Sequence, residues 1–273
     1  MTLKDKLAPP FVRLRHGRYF YNEDLMPRVS RDDVYLMNHP RSGSSWTRCL
    51  VTSYARQSPI TPELAAETVP GVIRTGLQPP VMPKTPHTVL IRSHAPYEKI
   101  PARVIYLMRD GRDALLSFYA LRRKTDPPSS WVHSATPGEF FLRNTKYGPW
   151  HEHVLGWLNG LESWSSDRYL VVKYEDLTRD PITHLGKMVE FLGLPVDRDR
   201  LEQAVAWNTK ESLAQIDEEG GGGVLAFPGM TKTGWASALS AEELAQYEEL
   251  AGEALRRGGY PLATEQAAAS ASH

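Results

Sequence analysis

Apolar positions in this chain come as short unbroken runs set between longer stretches of helical spacing. Val34 to Met37 reads as a buried strand that stops at Asn38, and Trp46 to Tyr54 reads as the helix after it. His87 to His94 predicts a second buried strand, stopped by Pro96. Arg103 to Arg109 predicts a third, leading through Asp110-Gly111 into a helix from about Arg112 to Arg123. Pro137 to Trp164 is predicted helical and carries Phe140, Phe141, Tyr147, Trp150, Trp157 and Trp164. Arg168 to Tyr174 makes a fourth strand; helices follow over Pro181 to Leu192 and Asp197 to Ala206. Ser240 caps a last helix, with Glu243 in capping-box spacing. Strands alternating with helices, without hairpin turn signals, predict an α/β fold: three layers, a central mostly parallel sheet with helices on both faces.

The remaining stretches add less. One domain is expected over residues 1–273. Residues 1–30 are polar and irregular, with Phe11, Tyr19, Phe20 and Tyr21 packing onto the body as an arm or lid. Prolines and glycines recur from Gln57 to Pro86, leaving room for a short helix near Glu63 to Glu67. The run Gly220 to Gly223 marks 216–235 as a mobile loop, and the Ala/Ser-rich 264–273 reads as a disordered tail.

Charge narrows the partners. Lysine plus arginine and aspartate plus glutamate number 32 each, so nothing favours a polynucleotide or a membrane surface as a bulk electrostatic partner. The single cysteine, Cys49, cannot form an internal disulfide and suits a reducing compartment. With no apolar leader and no membrane-length run, a soluble cytoplasmic protein is expected, of unassigned oligomeric state.

Chemistry concentrates at His39-Pro40-Arg41-Ser42-Gly43-Ser44-Ser45-Trp46, a turn between strand and helix. Such a turn offers backbone N–H groups and the positive end of a helix dipole to an anion. Gly43 lets the backbone approach closely, Ser42, Ser44 and Ser45 add hydroxyls, and Arg41 adds a permanent forked cation. The plainer alternative is a good helix start capped by Ser44 or Ser45. Ligands bind beyond the carboxyl ends of parallel strands, and that rule brings Arg41, Arg92, His94 and Arg109 to one rim.

At these residues the chain resembles the PAPS-dependent sulfotransferases, whose 5′-phosphosulfate loop reads roughly Y-P-K-S-G-T-T-W. Arg92-Ser93-His94 resembles that family's K-[ST]-H strand end; Arg109, Asp113 and Ser117 match R-x-x-x-D-x-x-x-S, and Tyr174-Glu175-Asp176 matches Y-E-D. The resemblance covers roughly residues 34 to 192 and departs where both lysines are arginine and where no R-K-G precedes Gly234-Trp235. It implies PAPS (3′-phosphoadenosine 5′-phosphosulfate) as donor, PAP (adenosine 3′,5′-bisphosphate) as product, a P-loop-like fold and no metal. His94 is implied as general base, and Arg41 as the cation on the 5′-phosphate and the bridging oxygen. Arg92 is implied on the sulfuryl oxygens and Arg109 with Ser117 on the 3′-phosphate. Asp113 braces the loop, Trp46 and Tyr174 flank the adenine, and Lys232 is the one cation ahead of Gly234 for the 3′-phosphate. The family places an aromatic at about Lys210 beside the adenine, so stacking on that side is expected to be replaced or missing. Phe20, Tyr21, His94, Phe141, Tyr147 and Phe227 are read as the pocket for a small hydroxylated acceptor, an aromatic or lipid-like alcohol.

Bland readings stand beside these. His94 at a strand end could be structural, Arg92 could pair with Glu98, and Tyr174 could be core. His151 and His153 point apart on a helix and read as a solvated pair, not metal ligands. Two other functions remain open: a nucleotide kinase that uses Asp110 after Val104–Met108 to hold magnesium, and a non-catalytic nucleotide binder.

Overall fold

The computed structural model describes residues 33–60, 90–100, 102–143, 147–209, 211–213, 234–263 and 265, together with the backbone of 11–13 and 19–21. Near the start, β1 (Phe11–Arg13) and β2 (Tyr19–Tyr21) pair antiparallel with Phe11 opposite Tyr21. The sequence reading of this stretch as irregular is corrected there: Phe, Val and Tyr favour extended backbone, and two such triplets find each other across a short connection.

The main sheet contains β3 (Val34–Met37), β4 (Leu90–Ser93), β5 (Arg103–Met108) and β6 (Tyr169–Lys173), all parallel in the order β4-β3-β5-β6. Alternate side chains divide between two cores, as the two-residue period of a strand requires. Tyr35, Met37, Val104, Tyr106 and Met108 face one core with α2 (Gly111–Thr125), α3 (Pro137–Leu142), α4 (Trp150–Leu161) and α9 (Ala241–Arg257). Val34, Leu36, Ile105 and Leu107 face the other with α1 (Ser44–Arg56), α6 (Pro181–Phe191) and α7 (Arg198–Trp207). Both faces being covered explains why β3 and the body of β5 are uniformly apolar. Short helices α5 (Tyr174–Arg179) and α8 (Trp235–Ala238) and the 3-10 turns Trp131–His133 and Ser166–Arg168 lie between the longer elements.

The single long helix expected over 137–164 is two. Arg143 turns extended at the end of α3, Gly148 takes φ 79, and Pro149 precedes Trp150 at the start of α4. Glycine in a left-handed conformation followed by proline ends one helix and starts the next. The strand predicted over Arg168 to Tyr174 is shorter, because Tyr174 already begins α5. Both α3 and α9 carry capping boxes, Thr136 with Glu139 and Ser240 with Glu243. No helix among the described residues is long and apolar enough to cross a membrane. The stretch Glu63 to Glu67, residues 216–233 and residues 266–273 lie outside the described residues. Gly234 and Trp235, read as part of the mobile loop, form the N-cap and first turn of α8.

Candidate active site

The order β4-β3-β5-β6 makes the chain turn to opposite sides of β3, which opens a crevice at the carboxyl ends of the strands. The loop after β3 is tied to β4 by Asn38 N–H donating to Ser93 O at 3.1 Å, and it closes on itself through Ser42 N–H to His39 O at 3.2 Å. Two of its residues adopt the left-handed conformation, Arg41 at φ 70 and Gly43 at φ 97. Gly43 is the N-cap of α1, and no side chain caps that helix. The capping role considered for Ser44 or Ser45 is therefore corrected: both lie inside the first turn of α1, because the left-handed Gly43 takes the cap position. A helix start left to its own N–H groups and dipole is an anion site in form. Glycine is also required sterically, since a Cβ at position 43 would lie 2.3 Å from Tyr174 Cδ2.

Three cationic or hydroxyl groups distant in sequence meet over this turn. Arg41 Nε donates to Ser117 Oγ on α2 at 3.1 Å, and Arg109 Nη1 donates to Arg41 O at 3.0 Å. The Arg109 guanidinium also lies over the Tyr174 ring, 4.7 Å from its centroid. Trp46 sets its ring at 76° to Tyr174, with centroids 6.1 Å apart, and its indole N–H donates to Asn208 O at 2.9 Å. Arg92 occupies β4 opposite Leu36. Its neighbour on α1 is Arg48, whose pKa falls to about 9, chiefly through burial and then through the charge of Arg92.

His94 follows β4 directly and is half-buried. Its Nδ1 lies 2.8 Å from Asn38 O. A carbonyl can only accept, so the proton belongs on Nδ1 and the lone pair on Nε2. Tyr147 meets the ring at 69° with centroids 5.3 Å apart. Burial, and secondarily the positive charge of Arg92, holds the His94 pKa well below its ordinary value; the Asn38 carbonyl opposes that shift, and His39 and His153 add to it. The imidazole is neutral at physiological pH and able to accept a proton.

The solvated reading of His151 and His153 is corrected for the second residue. His153 is 1 % exposed, because α4 turns it inward against Tyr106, while His151 is half-buried. His39 is equally buried, its ring edge-on to His153 at 5.5 Å, and burial pushes its pKa down to about 4.

The rim is braced from behind. Glu175 accepts from Asp110 N–H at 3.0 Å and from Tyr260 Oη–H at 3.0 Å, joining the ends of β5 and β6 to the C-terminal region. Asp110 caps α2 and engages Arg112 through both carboxylate oxygens, while Arg112 also reaches Glu248 at 2.6 Å. Arg112 is 1 % exposed and its cation lies 4.0 Å from the Trp235 ring. Asp113 accepts from Trp235 N–H at 3.4 Å, so it braces the start of α8.

Of the expected acceptor residues, Tyr147 stands beside His94, whereas Phe141 is buried and sets its ring against Tyr247 of α9 at 5.2 Å. That places Phe141 in the core between α3 and α9. Phe227 and Lys232 lie outside the described residues, as do the side chains of Phe20 and Tyr21. Sequence reasoning missed Asn38, whose carbonyl orients His94, together with Arg48, His39 and Asn208. Only Asn38 left a signal, as the polar residue that ends an apolar strand directly before the anion loop.

Comparison with known proteins points to one family. Residues 31–215 match the family model described as "Sulfotransferase domain". Sulfotransferase 2A2 of Rattus norvegicus is 31% identical over 198 residues, 66% of this chain and 66% of that protein. The flavonol sulfotransferase-like protein of Flaveria bidentis is 27% identical over 201 residues, 66% of this chain but 63% of its own length. In fold, the chain is similar to mouse sulfotransferase SULT7A1, solved with PAP, at TM-score 0.62 and 20% identity over 90% of this chain and 95% of that one.

Proposed function

The chain belongs to the sulfotransferase family, and from that premise we propose that it moves a sulfuryl group from PAPS to the hydroxyl of a small acceptor. The observation that carries the reading is the His94 imidazole, its Nδ1 held by Asn38 O at 2.8 Å, on the same rim as the Arg41, Ser117 and Arg109 cluster. A base fixed beside a polycationic crevice is what in-line transfer from a doubly phosphorylated donor asks for.

PAPS supplies the sulfuryl group and leaves as PAP. Arg41 and the N–H groups at the start of α1 hold the 5′-phosphate and meet the charge that collects there as its bond to sulfur breaks. Arg109 and Ser117, with Lys232 from the segment ahead of α8, take the 3′-phosphate. Trp46 and Tyr174 bound the adenine side, with Ser42, Ser44 and Ser45 donating to phosphate oxygens. Arg92 neutralises the sulfuryl oxygens. His94 Nε2 takes the proton of the acceptor hydroxyl as its oxygen bonds to sulfur. Arginine in place of lysine at positions 41 and 92 keeps the charge and adds two-pronged geometry, but it does not give up a proton, so His94 carries the proton chemistry alone.

The acceptor is an aromatic or lipid-like alcohol: Tyr147 offers an aromatic edge beside the base, and Phe20, Tyr21 and Phe227 are further candidates for the pocket. A lone, buried cysteine, Cys49, is in keeping with work in the cytoplasm. The kinase alternative asks Asp110 to hold magnesium, and both of its carboxylate oxygens are instead committed to Arg112.

Transfer of label from sulfur-35 PAPS to a panel of phenols and sterols tests the proposal. It predicts a labelled product from at least one acceptor, one PAP per turnover and no loss of rate with a magnesium chelator. PAP binding without any transfer, or a rate abolished by the chelator, would overturn it.

A further inference from the structure

Beyond the end of the sheet, the chains of β5 and β6 stay side by side for two more residues. Their parallel register ends with Met108 opposite Lys173, so the next steps set Arg109 beside Tyr174 and Asp110 beside Glu175. Both pairs are in contact: the Arg109 guanidinium lies 4.7 Å from the centroid of the Tyr174 ring, and Asp110 N–H donates to Glu175 Oε1 at 3.0 Å. That N–H belongs to the planar peptide linking Arg109 to Asp110. Glu175 therefore fixes the backbone from which the arginine side chain starts. Two successive residues hold Arg109 at both ends, Tyr174 under its head and Glu175 at its root.

Glu175 is itself anchored. Its Oε2 accepts from the hydroxyl of buried Tyr260 at 3.0 Å, and Lys173 Nζ lies 5.1 Å from the centroid of that ring. Asp110 is held from its other side, because its Oδ1 accepts from Arg112 N–H at 2.9 Å and both of its carboxylate oxygens engage the Arg112 guanidinium. Burial raises the Glu175 pKa, while the Asp110 N–H, the Tyr260 hydroxyl and the Arg109 charge act against that shift. At the far end Arg109 Nη1 donates to Arg41 O at 3.0 Å. Successive contacts thus run from Tyr260 through Glu175 and Arg109 to the anion turn. A long side chain loses much rotamer freedom when it grips an anion, and fixing it beforehand lowers that cost.

We infer that Glu175, anchored by Tyr260, is a positioning residue for Arg109, and that it sets how well the protein tells a 3′-phosphorylated nucleotide from one without that phosphate. The inference rests on the reading of Arg109 as the 3′-phosphate cation for its consequence in binding, but not for the order it gives the arginine. The effect belongs to one phosphate. The turn ahead of α1, which serves the 5′-phosphate, has its own bonds from Asn38 N–H to Ser93 O and from Ser42 N–H to His39 O.

Calorimetry with PAP and with AMP, which lacks the 3′-phosphate, tests the consequence. Spectra of protein labelled with nitrogen-15 in its arginines test the order, the Arg109 Nε–H signal being assigned by its loss in Arg109→Ala. Glu175→Ala removes the acceptor. Glu175→Gln keeps a carbonyl for Asp110 N–H and offers an amide N–H to the Tyr260 oxygen, which then accepts. Tyr260→Phe keeps the ring and removes its donor. The expected result is that Glu175→Ala weakens PAP binding about 10-fold and AMP binding by less than about threefold. Its Arg109 signal moves toward that of a solvated arginine. Glu175→Gln restores the signal and brings PAP affinity to within about threefold of wild type. Tyr260→Phe acts in the same direction as Glu175→Ala but less, and adds nothing in the Glu175→Ala background. Equal losses of PAP and AMP affinity, wild-type PAP affinity in Glu175→Ala, or a glutamine variant no better than alanine would overturn the inference. Should the alanine variant fail to fold, Tyr260→Phe carries the test, and an unchanged PAP-to-AMP ratio there overturns it. If Arg109→Ala itself leaves that ratio unchanged while the Arg109 signal still answers to Glu175, the positioning stands and the 3′-phosphate reading of Arg109 falls instead.

Discussion

At the scale of single residues, the site depends on what stands at the ends of strands. Arg109 follows β5 and reaches back to the loop carbonyl of Arg41, which puts its charge where the proposed reading needs one for the 3′-phosphate. Replacing it with alanine is expected to weaken PAP binding by 10-fold or more while leaving AMP binding within about threefold, since a hydrogen bond between charged groups contributes roughly 1.5–3 kcal/mol. Calorimetry with both nucleotides measures the difference; parallel losses would assign Arg109 to the loop's structure alone. Arg41, His94 and Arg109 were legible in the sequence because each sits at or just after the end of a predicted strand, and the parallel-sheet rule collects such residues on one rim. His39, His153 and Arg48 were not. Whether a helical histidine faces solvent or the core depends on the rotation of α4 against β5, and local spacing does not encode that rotation. The serines were half legible: their chemistry was plain, but the cap fell to Gly43, whose left-handed φ of 97 starts the helix and whose missing Cβ lets Tyr174 approach the turn.

Among the elements, the helices that back the sheet are joined by few but specific polar contacts. Glu243 closes the capping box of α9 and also accepts from Thr136 Oγ1 and from Gly138 N–H at the start of α3. One carboxylate thus serves two helix starts, and its pKa is lowered by the Thr136 and Ser240 bonds against a small opposing effect of burial. Glu243→Ala is expected to lower stability by about 1–3 kcal/mol, more than an ordinary cap deletion, with kcat and PAP binding unaffected. Urea unfolding beside an activity assay checks this, and a loss under about 0.5 kcal/mol would mean the two starts are satisfied by water. The periodicity of Pro137 to Trp164 announced helix without announcing its interruption. The break at Gly148-Pro149 was present as a turn signal, and the aromatic periodicity on either side outweighed it in the sequence reading. In the fold the interruption has a use, since it delivers Tyr147 to His94.

Across the whole molecule, three imidazoles, His39 and His153 buried and His94 half-buried, tie stability to pH. His39, His94 and His153 all have pKa values depressed by burial, His39 to about 4. The unfolded chain binds these protons near the ordinary histidine value of 6.5, so below that pH it gains protons that the folded protein refuses. Stability is therefore full above pH 6.5 and falls as the medium is acidified toward pH 4. His39 alone accounts for roughly 3 kcal/mol over that interval. Denaturant unfolding between pH 7.5 and 4.5 measures the slope, and replacing His39 with glutamine should flatten it; an unchanged slope would show that carboxylates set the acid limit. The central claim is that these groups serve one reaction, with His94 as its base. Its most direct test is a single-turnover measurement of sulfuryl transfer, with wild type and His94→Ala each saturated with PAPS and each titrated separately with PAP. The account predicts transfer slowed at least about 100-fold with PAP affinity within twofold to threefold of wild type. Transfer at the wild-type rate, or affinity lost in step with rate, would contradict it.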